Sequence, residues 1–432
     1  MSHAELLARH RAVLPSWIAL YYDQPIALVD GEGCRVVDAE GRRYLDFFGG
    51  ILTTMVGYNL PEVVAAVREQ AGRMVHTSTL YLIEPMIELA ERIAALSGIP
   101  GAKVFFTNSG TEANEAALLL ATTARRSNQV LALRNSYHGR SYAAMGITGN
   151  RGWSASSLTP VNVSYVHGGY RYRSPFRDLS DEDYVRACVE DLRDVIATTT
   201  AGDVACMIAE PIQGVGGFAT PPDGLFGAMK AVLDDHGILL VSDEVQTGWG
   251  RTGEHFWGIQ AHGVTPDAMT FAKGLGNGVA IGGVVARGDL MDSVTANSIS
   301  TFGGNPLATR AALASLDYLL SHDLQANALK QGSRLRQGLD AVAERCQVVG
   351  EVRGKGLMVG IELVEPGSTE ASPAAAAWVL EEVRRGGLLI GKGGLYGNVL
   401  RVAPPLTVSE AEVDEGLEIL GAAITALEQG DR

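Results

Sequence analysis

Two stretches of sequence decide the fold of this chain, Ile238–Gln246 (ILLVSDEVQ) and Ala268–Gly278 (AMTFAKGLGNG). Each starts as a short, continuous apolar run, which is typical of a buried parallel strand. Asp243 comes directly after the first run. Lys273 comes directly after the second, and a glycine-rich turn follows it. In open α/β sheets, ligands bind outside the carboxyl ends of the strands. The two stretches therefore predict an open α/β sheet with an acid and a lysine at its ligand-binding edge.

The chemistry of these two side chains points to a particular cofactor. A lysine crowded by apolar neighbours resists protonation, and its free amine forms a Schiff base with an aldehyde. A carboxylate nearby is costly unless a cation pairs with it, and a protonated pyridine nitrogen is such a cation. Asp243 and Lys273 together therefore suggest pyridoxal 5'-phosphate. Taken alone, they fit a helix cap and a solvated strand end equally well, so other motifs have to decide.

Length, charge and cysteine spacing exclude several classes of protein. At 432 residues the chain is too long for one small core, so two or three subdomains are expected. The net charge of −14 opposes binding to nucleic acids and to anionic membranes. The four cysteines lack CxxC spacing, which favours free thiols over a disulfide framework or a zinc site. With no secretory leader and no long apolar run, we expect a cytoplasmic protein that binds no metal.

One sequence pattern recurs in the chain: an apolar run ends at a polar or glycine-rich turn, and a helical pattern follows. Three further runs of this kind are Val104–Phe106, Val130–Leu133 and Val204–Ala209. Five such ends predict an α/β fold with a mostly parallel open sheet and helices on both faces. After residue 305, long amphipathic stretches and short strands predict a smaller α+β domain. We therefore predict an N-terminal segment of that small domain over residues 1–60, a large cofactor-binding domain over 61–305 and the remainder of the small domain over 306–432.

The segment Ser109–Glu112 predicts an anion site at the start of a helix. Ser109 and Glu112 have the spacing of a capping box. Free backbone N–H groups, the hydroxyls of Ser109 and Thr111 and the bare backbone of Gly110 suit a phosphate group. Such a segment is more often an ordinary helix cap, but its position directly after a strand favours the phosphate.

Side chains at neighbouring strand ends extend this site. Tyr137, followed by His138, has an aromatic ring that can stack on a flat heterocycle, although a lone tyrosine is usually part of a core. Gln246 follows Asp243 by three residues and can donate to a ring hydroxyl, although a solvated amide is equally compatible with its position.

Six blocks of sequence, taken together, resemble the class III aminotransferases, which are pyridoxal-phosphate enzymes of fold type I. The blocks are Asn108–Ala113, Tyr137–Arg140, Glu210–Gly214, Asp243–Gly248, Lys273–Leu275 and Thr301–Pro306. The similarity runs in order from about Tyr44 to Pro405, and linked blocks at matching spacing are far more specific than any single one. The resemblance implies a transaminase that moves an amino group from an amino acid to an α-keto acid.

The resemblance also implies a role for each candidate residue. Lys273 would hold the cofactor aldehyde and then act as acid and base, and Asp243 would keep the pyridine nitrogen protonated. Contacts with the cofactor are implied for Ser109, Gly110, Thr111, Tyr137, His138, Gln246 and Thr301. Thr301 would reach the phosphate in the neighbouring subunit, which implies a homodimer with shared active sites.

Substrate choice is expected to depend on three charged residues. Arg401 matches the family's arginine for an α-carboxylate, a task that suits a guanidinium. Glu210 matches an acidic residue of the family that acts as a gate: its carboxylate pairs with that arginine when a substrate presents only its amine. Arg140 matches a second carboxylate-binding arginine of ω-amino acid enzymes, with a surface ion pair as the alternative. These matches predict a donor such as β-alanine, 4-aminobutyrate or an ornithine derivative, with pyruvate, glyoxylate or 2-oxoglutarate as acceptor.

Other stretches leave the donor and the reaction open. Leu133–Gly139, His255–Gly258 and Leu388–Gly393 resemble the alanine-glyoxylate type 2 branch, which favours alanine as donor, although Arg140 departs from that branch. Leu400–Val408 also resembles dialkylglycine decarboxylase, so a decarboxylase or a phospho-lyase is the alternative enzyme. A non-catalytic relative is the remaining alternative, and the intact Lys273 and Asp243 argue against it.

Overall fold

The chain begins with a helix and a three-stranded antiparallel ribbon in the computed structural model, which describes residues 3–430. Helix α1 spans His3–Val13, and strands β1, β2 and β3 span Leu28–Glu32, Arg35–Asp38 and Arg43–Asp46. Residues 14–27 between them form turns and bends without regular structure. We call residues 14–27 the N-terminal connector.

A seven-stranded sheet lies at the centre of the molecule. Its strands are β4 Ala102–Thr107, β5 Gln129–Leu133, β6 Asn162–Val166, β7 Cys206–Ala209, β8 Leu239–Asp243, β9 Ala268–Phe271 and β10 Gly282–Arg287. They lie in the order β4-β10-β9-β8-β7-β5-β6. Strand β10 is antiparallel to both of its neighbours, β4 and β9, whereas the five strands from β9 to β6 in that order pair in parallel. The mostly parallel sheet predicted from the sequence is confirmed.

Helices cover both faces of this sheet because its buried strands are apolar on both sides. On β5, Val130 and Ala132 pack into one apolar cluster, and Leu131 and Leu133 pack into the larger core on the opposite face. The helices and helical turns of this part are α2 Gly49–Leu52, α3 Pro61–Arg73, α4 Glu84–Ser97, α5 Gly110–Arg125, α6 Tyr142–Gly146, α7 Asp181–Thr199, α8 Leu225–Asp235 and α9 Gly288–Met291. The predicted α/β architecture is therefore present.

Four longer helices and a second antiparallel sheet complete the chain. The helices are α10 Pro306–Ser321, α11 Leu324–Ala343, α12 Pro373–Gly386 and α13 Glu410–Gln429, and the strands are β11 Val349–Lys355, β12 Met358–Leu363, β13 Leu388–Leu389, β14 Gly391–Gly393 and β15 Val399–Val402. Strands β11, β12, β15 and β14 form the sheet in that order. Strand β13 instead pairs in parallel with β3, so the two ends of the chain share this smaller α+β part.

The start of α10 shows how local sequence sets an element boundary. Asn305 caps the helix, because its side-chain oxygen accepts a hydrogen bond from Ala308 N, and Pro306 occupies the first helical position. Helix α10 then packs along α3 and α4 of the large part. The domain limits at residues 60 and 305 stay predictions.

None of the helices within residues 3–430 combines the length and the apolar character needed to cross a bilayer.

Candidate active site

A cavity of about 360 Å³ lies where β7, β8 and β9 end. The parallel strands put their carboxyl ends at one edge of the sheet, so residues far apart in sequence meet there. The predicted site residues that line the cavity are Ser109, Gly110, Thr111, Tyr137, His138, Arg140, Glu210, Asp243, Gln246 and Lys273. Two predicted site residues, Thr301 and Arg401, are not part of this lining.

Asp243 is the last residue of β8 and is held rigidly at the cavity wall. Its Oδ2 atom lies 2.8 Å from both Asn114 Nδ2 and His138 Nδ1, and its Oδ1 atom accepts a hydrogen bond of 3.1 Å from Val245 N. The residue is only 4% exposed. No lysine or arginine of the described residues forms a salt bridge with it. A fixed, buried carboxylate of this kind suits a cationic group of a ligand.

Asn114 is a functional candidate that the sequence reasoning missed. Its Nδ2 atom donates to His138 O at 2.7 Å in addition to Asp243, and its Oδ1 atom accepts from Thr270 Oγ1 at 2.7 Å. Asn114 lies among apolar residues on the buried face of α5, and the sequence motifs gave it no role. A polar residue on the apolar face of a helix is the signal that would have found it, since a buried amide needs partners.

Lys273 follows β9 and opens a short 3₁₀ turn over Lys273–Gly276. Its φ angle of 44° lies in the left-handed region, which is unfavourable for a residue with a Cβ atom and is frequent at functional sites. The residue is partly exposed through the cavity, but its amine is enclosed by protein. Burial lowers the pKa of Lys273, and the charge of Arg401 adds to this, whereas Asp243 and Glu210 act in the opposite direction. The amine is therefore more readily deprotonated than that of a surface lysine.

The amino terminus of α5 opens on the same cavity. Ser109 caps the helix, accepting from Glu112 N at 3.4 Å, and the Glu112 carboxylate returns to Asn108 N at 2.7 Å. The Thr111 hydroxyl accepts from the backbone N–H groups of Arg140 and Ser141. The start of a 16-residue helix carries free N–H groups and partial positive charge, so it favours an anion.

Glycine is required where the loop after β5 crosses this helix. Gly139 has φ 134° and lies so close to Thr111 that an added Cβ would collide with its hydroxyl. The loop can therefore approach the helix closely enough to bring Tyr137 and His138 to the cavity.

Tyr137 and Gln246 face the cavity from two sides. The Tyr137 ring makes an edge contact with Trp153, with ring centroids 5.5 Å apart, and burial raises the pKa of its hydroxyl. Gln246 is 8% exposed, and its Oε1 atom has no hydrogen-bond partner among the described residues. Its side chain lies against Gly214, where a Cβ would collide with the amide. An unsatisfied buried amide beside a cavity indicates that a ligand group completes the site.

Glu210 lines the cavity and is bound to the main chain. Its carboxylate accepts hydrogen bonds of 2.8 Å from Tyr137 N and from Gly214 N, so both oxygens already have partners. Among the described residues it forms no ion pair with Arg401. Burial raises the pKa of Glu210 to about 7, although His138 and the two N–H groups act to lower it. The pairing of Glu210 with Arg401, which the resemblance implies for substrates that present only an amine, is not present among the described residues and stays a prediction.

Arg401 lies on β15 and is 2% exposed. Its guanidinium donates to Gly214 O at 3.3 Å and to Lys392 O at 3.0 Å, and Nε has no partner within residues 3–430. No carboxylate of the described residues lies within 4.0 Å of it. A buried cation without an anion is costly, and a substrate carboxylate would satisfy it.

Arg140 and Thr301 are both exposed. The guanidinium of Arg140 lies 5.4 Å from the centre of the Trp17 ring and forms no salt bridge with any described residue. The alternative of a surface ion pair for Arg140 is therefore not seen in the described part of the chain. Thr301 contributes nothing to the cavity of its own chain.

The donor set fits pyridoxal phosphate. An enclosed amine, a fixed carboxylate and a helix terminus that favours anions surround one cavity, and these match the aldehyde, the pyridine nitrogen and the phosphate of that cofactor. The unsatisfied amide of Gln246 remains for a further polar group of the ring.

Comparisons with known proteins agree with this arrangement. Residues 19–424 match the family model for aminotransferase class-III. An alanine–glyoxylate aminotransferase 2 homolog of Arabidopsis thaliana is 38% identical over 98% of this chain and 87% of its own length. A leucine/methionine racemase of Thermococcus litoralis is also 38% identical, over 100% of this chain and 97% of its own.

Solved structures share the whole fold. An (S)-enantioselective omega-transaminase from Thermomicrobium roseum has a TM-score of 0.91 and 36% identity, with 99% of each chain covered. The chain therefore belongs to the class III aminotransferase family, and it is a pyridoxal-phosphate-dependent transaminase of fold type I.

Proposed function

We propose that this transaminase transfers the amino group of an amino acid, either an ω-amino acid or alanine, to an α-keto acid such as pyruvate, glyoxylate or 2-oxoglutarate. The observation that carries the proposal is the meeting of three groups at one cavity: the enclosed amine of Lys273, the fixed carboxylate of Asp243 and the start of α5. The alanine–glyoxylate relative and the omega-transaminase structure support the substrate classes.

Asp243 and Lys273 have separate roles in the proposed chemistry. When bound, pyridoxal phosphate supplies an electron sink for the bond that breaks at the substrate Cα. Asp243 keeps a proton on the ring nitrogen, and His138 and Asn114 hold the Asp243 carboxylate in place. Lys273 Nζ would accept the proton from the substrate Cα and give the same proton up at the other end of the 1,3-shift, a task that suits an amine with a lowered pKa.

Binding is assigned to the remaining residues. Ser109, Gly110 and Thr111 hold the phosphate at the start of α5, and Tyr137 stacks on the ring. Gln246 contacts the ring hydroxyl through its unsatisfied amide.

Substrate carboxylates are assigned to the two arginines. Arg401 binds the α-carboxylate because its buried guanidinium has no anionic partner among the described residues. Arg140 lies at the cavity rim with its guanidinium accessible, so it is placed to attract the distal carboxylate of a longer substrate.

We further propose a homodimer in which Thr301 reaches the phosphate of the other subunit. Thr301 is exposed and lies outside the cavity of its own chain, and its neighbour Phe302 is 59% exposed. An exposed apolar surface near a functional residue suits a subunit interface. Mixing Thr301→Ala subunits with Lys273→Ala subunits should produce mixed dimers with one intact site. Recovery of no activity in such mixtures would reject the shared site.

A cytoplasmic location is also proposed. All four cysteines are buried and unpaired, which suits a reducing compartment.

The main test of the function is Lys273→Ala. This variant should lose turnover and should no longer trap the cofactor covalently on reduction with borohydride. The matched control is Lys103→Ala, because Lys103 is exposed and pairs with Asp292 at the surface. Covalent trapping that persists in Lys273→Ala would show that another amine holds the cofactor. A panel of amine donors, followed by the change in cofactor absorbance, identifies the preferred substrate.

One relative raises a second candidate reaction. The Thermococcus litoralis protein has the name of a racemase and is as similar in sequence as the alanine–glyoxylate relative. The same panel should therefore record the enantiomer ratio of leucine and methionine without keto acid, together with release of carbon dioxide. Racemisation or decarboxylation faster than amino transfer would favour these reactions over transamination.

A further inference from the structure

Tyr21, a residue of the N-terminal connector, covers the guanidinium of Arg401 although 380 positions separate the two in sequence. Its hydroxyl accepts a hydrogen bond of 3.3 Å from Arg401 Nη2 and donates one of 3.2 Å to Lys392 O. The Tyr21 ring stacks on Phe48 with centroids 5.9 Å apart, and Arg401 lies 4.8 Å from the centre of that same Phe48 ring. Tyr21 thus closes one side of the arginine site.

All the oxygens that Arg401 contacts within the described residues are neutral. They belong to the Tyr21 hydroxyl and to the carbonyl groups of Gly214 and Lys392. Glu210, the carboxylate expected to neutralise this arginine, is held by two backbone N–H groups instead. No carboxylate of the described residues therefore pairs with the Arg401 guanidinium in this structure.

Tyr21 is 37% exposed and lies in a connector without helix or strand, and both features are typical of segments that open at low free energy. A guanidinium and a carboxylate carry opposite charges and can form two parallel hydrogen bonds, whereas a tyrosine hydroxyl offers one neutral oxygen. A substrate carboxylate should therefore displace the tyrosine hydroxyl, whereas an amine without a carboxylate leaves the hydroxyl in place.

The same connector also contacts the second arginine. The Trp17 ring lies 5.4 Å from the guanidinium of Arg140, which lines the cavity. Aromatic side chains four residues apart therefore contact both arginines, and movement of one short segment would change both contacts.

We propose that Tyr21 is a specificity-determining residue, whose hydroxyl occupies Arg401 when the substrate lacks an α-carboxylate and gives way when one is present. This inference rests on the proposed transaminase function and refines its substrate class. Because the cover is neutral, it does not cancel the charge of Arg401 for plain amines. The enzyme should therefore prefer donors and acceptors with an α-carboxylate, such as alanine and pyruvate, over amines that lack one.

The test uses Tyr21→Phe in the holoenzyme, since phenylalanine keeps the stacking on Phe48 and removes only the hydroxyl. Propionate serves as a carboxylate that cannot react, and its Kd is measured by titration calorimetry. We expect the Kd of propionate to fall about fivefold, the change that one net hydrogen bond represents. In the donor half-reaction, kcat/KM for L-alanine should rise by the same factor, and kcat/KM for 1-phenylethylamine should stay unchanged.

A matched control and a second variant separate specificity from structure. Tyr396→Phe is the control, because Tyr396 is an exposed tyrosine that lies over a different arginine, Arg173, at 5.2 Å. In an Arg401→Ala background, Tyr21→Phe should no longer change the ratio of kcat/KM for L-alanine to kcat/KM for 1-phenylethylamine.

Weaker or unchanged propionate binding in Tyr21→Phe would overturn the proposal. The proposal would also fail if Tyr21→Phe changed the ratio of the two kcat/KM values equally with and without Arg401. If the wild-type enzyme transfers no amino group, the proposed function fails. The propionate titration still tests Tyr21 in that case, so the two failures are distinguishable.

Discussion

Asn114→Ala tests whether the environment of Asp243 matters as much as Asp243 itself. The substitution removes the 2.8 Å hydrogen bond to Asp243 Oδ2 and leaves Thr270 Oγ1 and His138 O without their partner. A hydrogen bond to a charged group contributes about 1.5–3 kcal/mol, and a buried group left unsatisfied costs about 1–3 kcal/mol. A loss of about 3 kcal/mol through Asp243 corresponds to about a hundredfold in kcat/KM.

The assay measures kcat/KM in the donor half-reaction and the Kd of pyridoxal phosphate. A less firmly held Asp243 should lower kcat/KM and raise that Kd. Asn114→Asp keeps the size of the side chain but adds a like charge beside Asp243, so it should lose more activity than alanine does. Asn128→Ala is the control, since Asn128 is an exposed asparagine that does not line the cavity. If folded Asn114→Ala has a kcat/KM and a Kd for pyridoxal phosphate that are both within threefold of wild type, the reasoning is refuted.

Four further substitutions test the remaining assignments. Asp243→Asn should preserve the fold but lower the rate by several powers of ten, about the loss seen when a catalytic base is misoriented, and near-normal turnover would reject its role. Arg401→Ala should raise KM for the keto acid more than for a plain amine, and equal changes would remove Arg401 from the pocket. Arg140→Ala should raise KM for 4-aminobutyrate about threefold and leave alanine unchanged, with kinetics of both donors as the check. Burial raises the pKa of Glu210 to about 7, above its unfolded value near 4.5, so wild-type stability should fall as pH rises from about 4.5 to about 7 by about 3 kcal/mol. Glu210→Gln should remove this slope in denaturant unfolding, whereas parallel pH curves for the two proteins would contradict the shifted pKa.

Features that depend on local sequence were predictable. The apolar runs before Asp243 and Lys273 are continuous because a parallel strand is buried on both faces, and that pattern identifies strand ends without any tertiary information. The capping residues around Ser109 likewise identify the start of α5 because a helix start has local hydrogen-bonding needs. The edge of the sheet on which these groups meet follows from parallel pairing alone.

Pairings between distant residues were not predictable in the same way. The resemblance implies a pairing of Glu210 with Arg401 for substrates that present only an amine, but it gives no sign that backbone N–H groups of Tyr137 and Gly214 hold the Glu210 carboxylate in this structure. The partner of a buried carboxylate depends on which donors surround it in three dimensions, and main-chain donors leave no trace in residue identity.

The sequence by itself determined the sheet, the position of Lys273 and Asp243 at its edge, and the start of α5, because each depends on residues close together in the chain. Only the tertiary structure decided that Asn114 supports Asp243 and that Tyr21 covers Arg401. Those contacts join residues 129 and 380 positions apart, and the folding of the whole chain brings them within hydrogen-bonding distance.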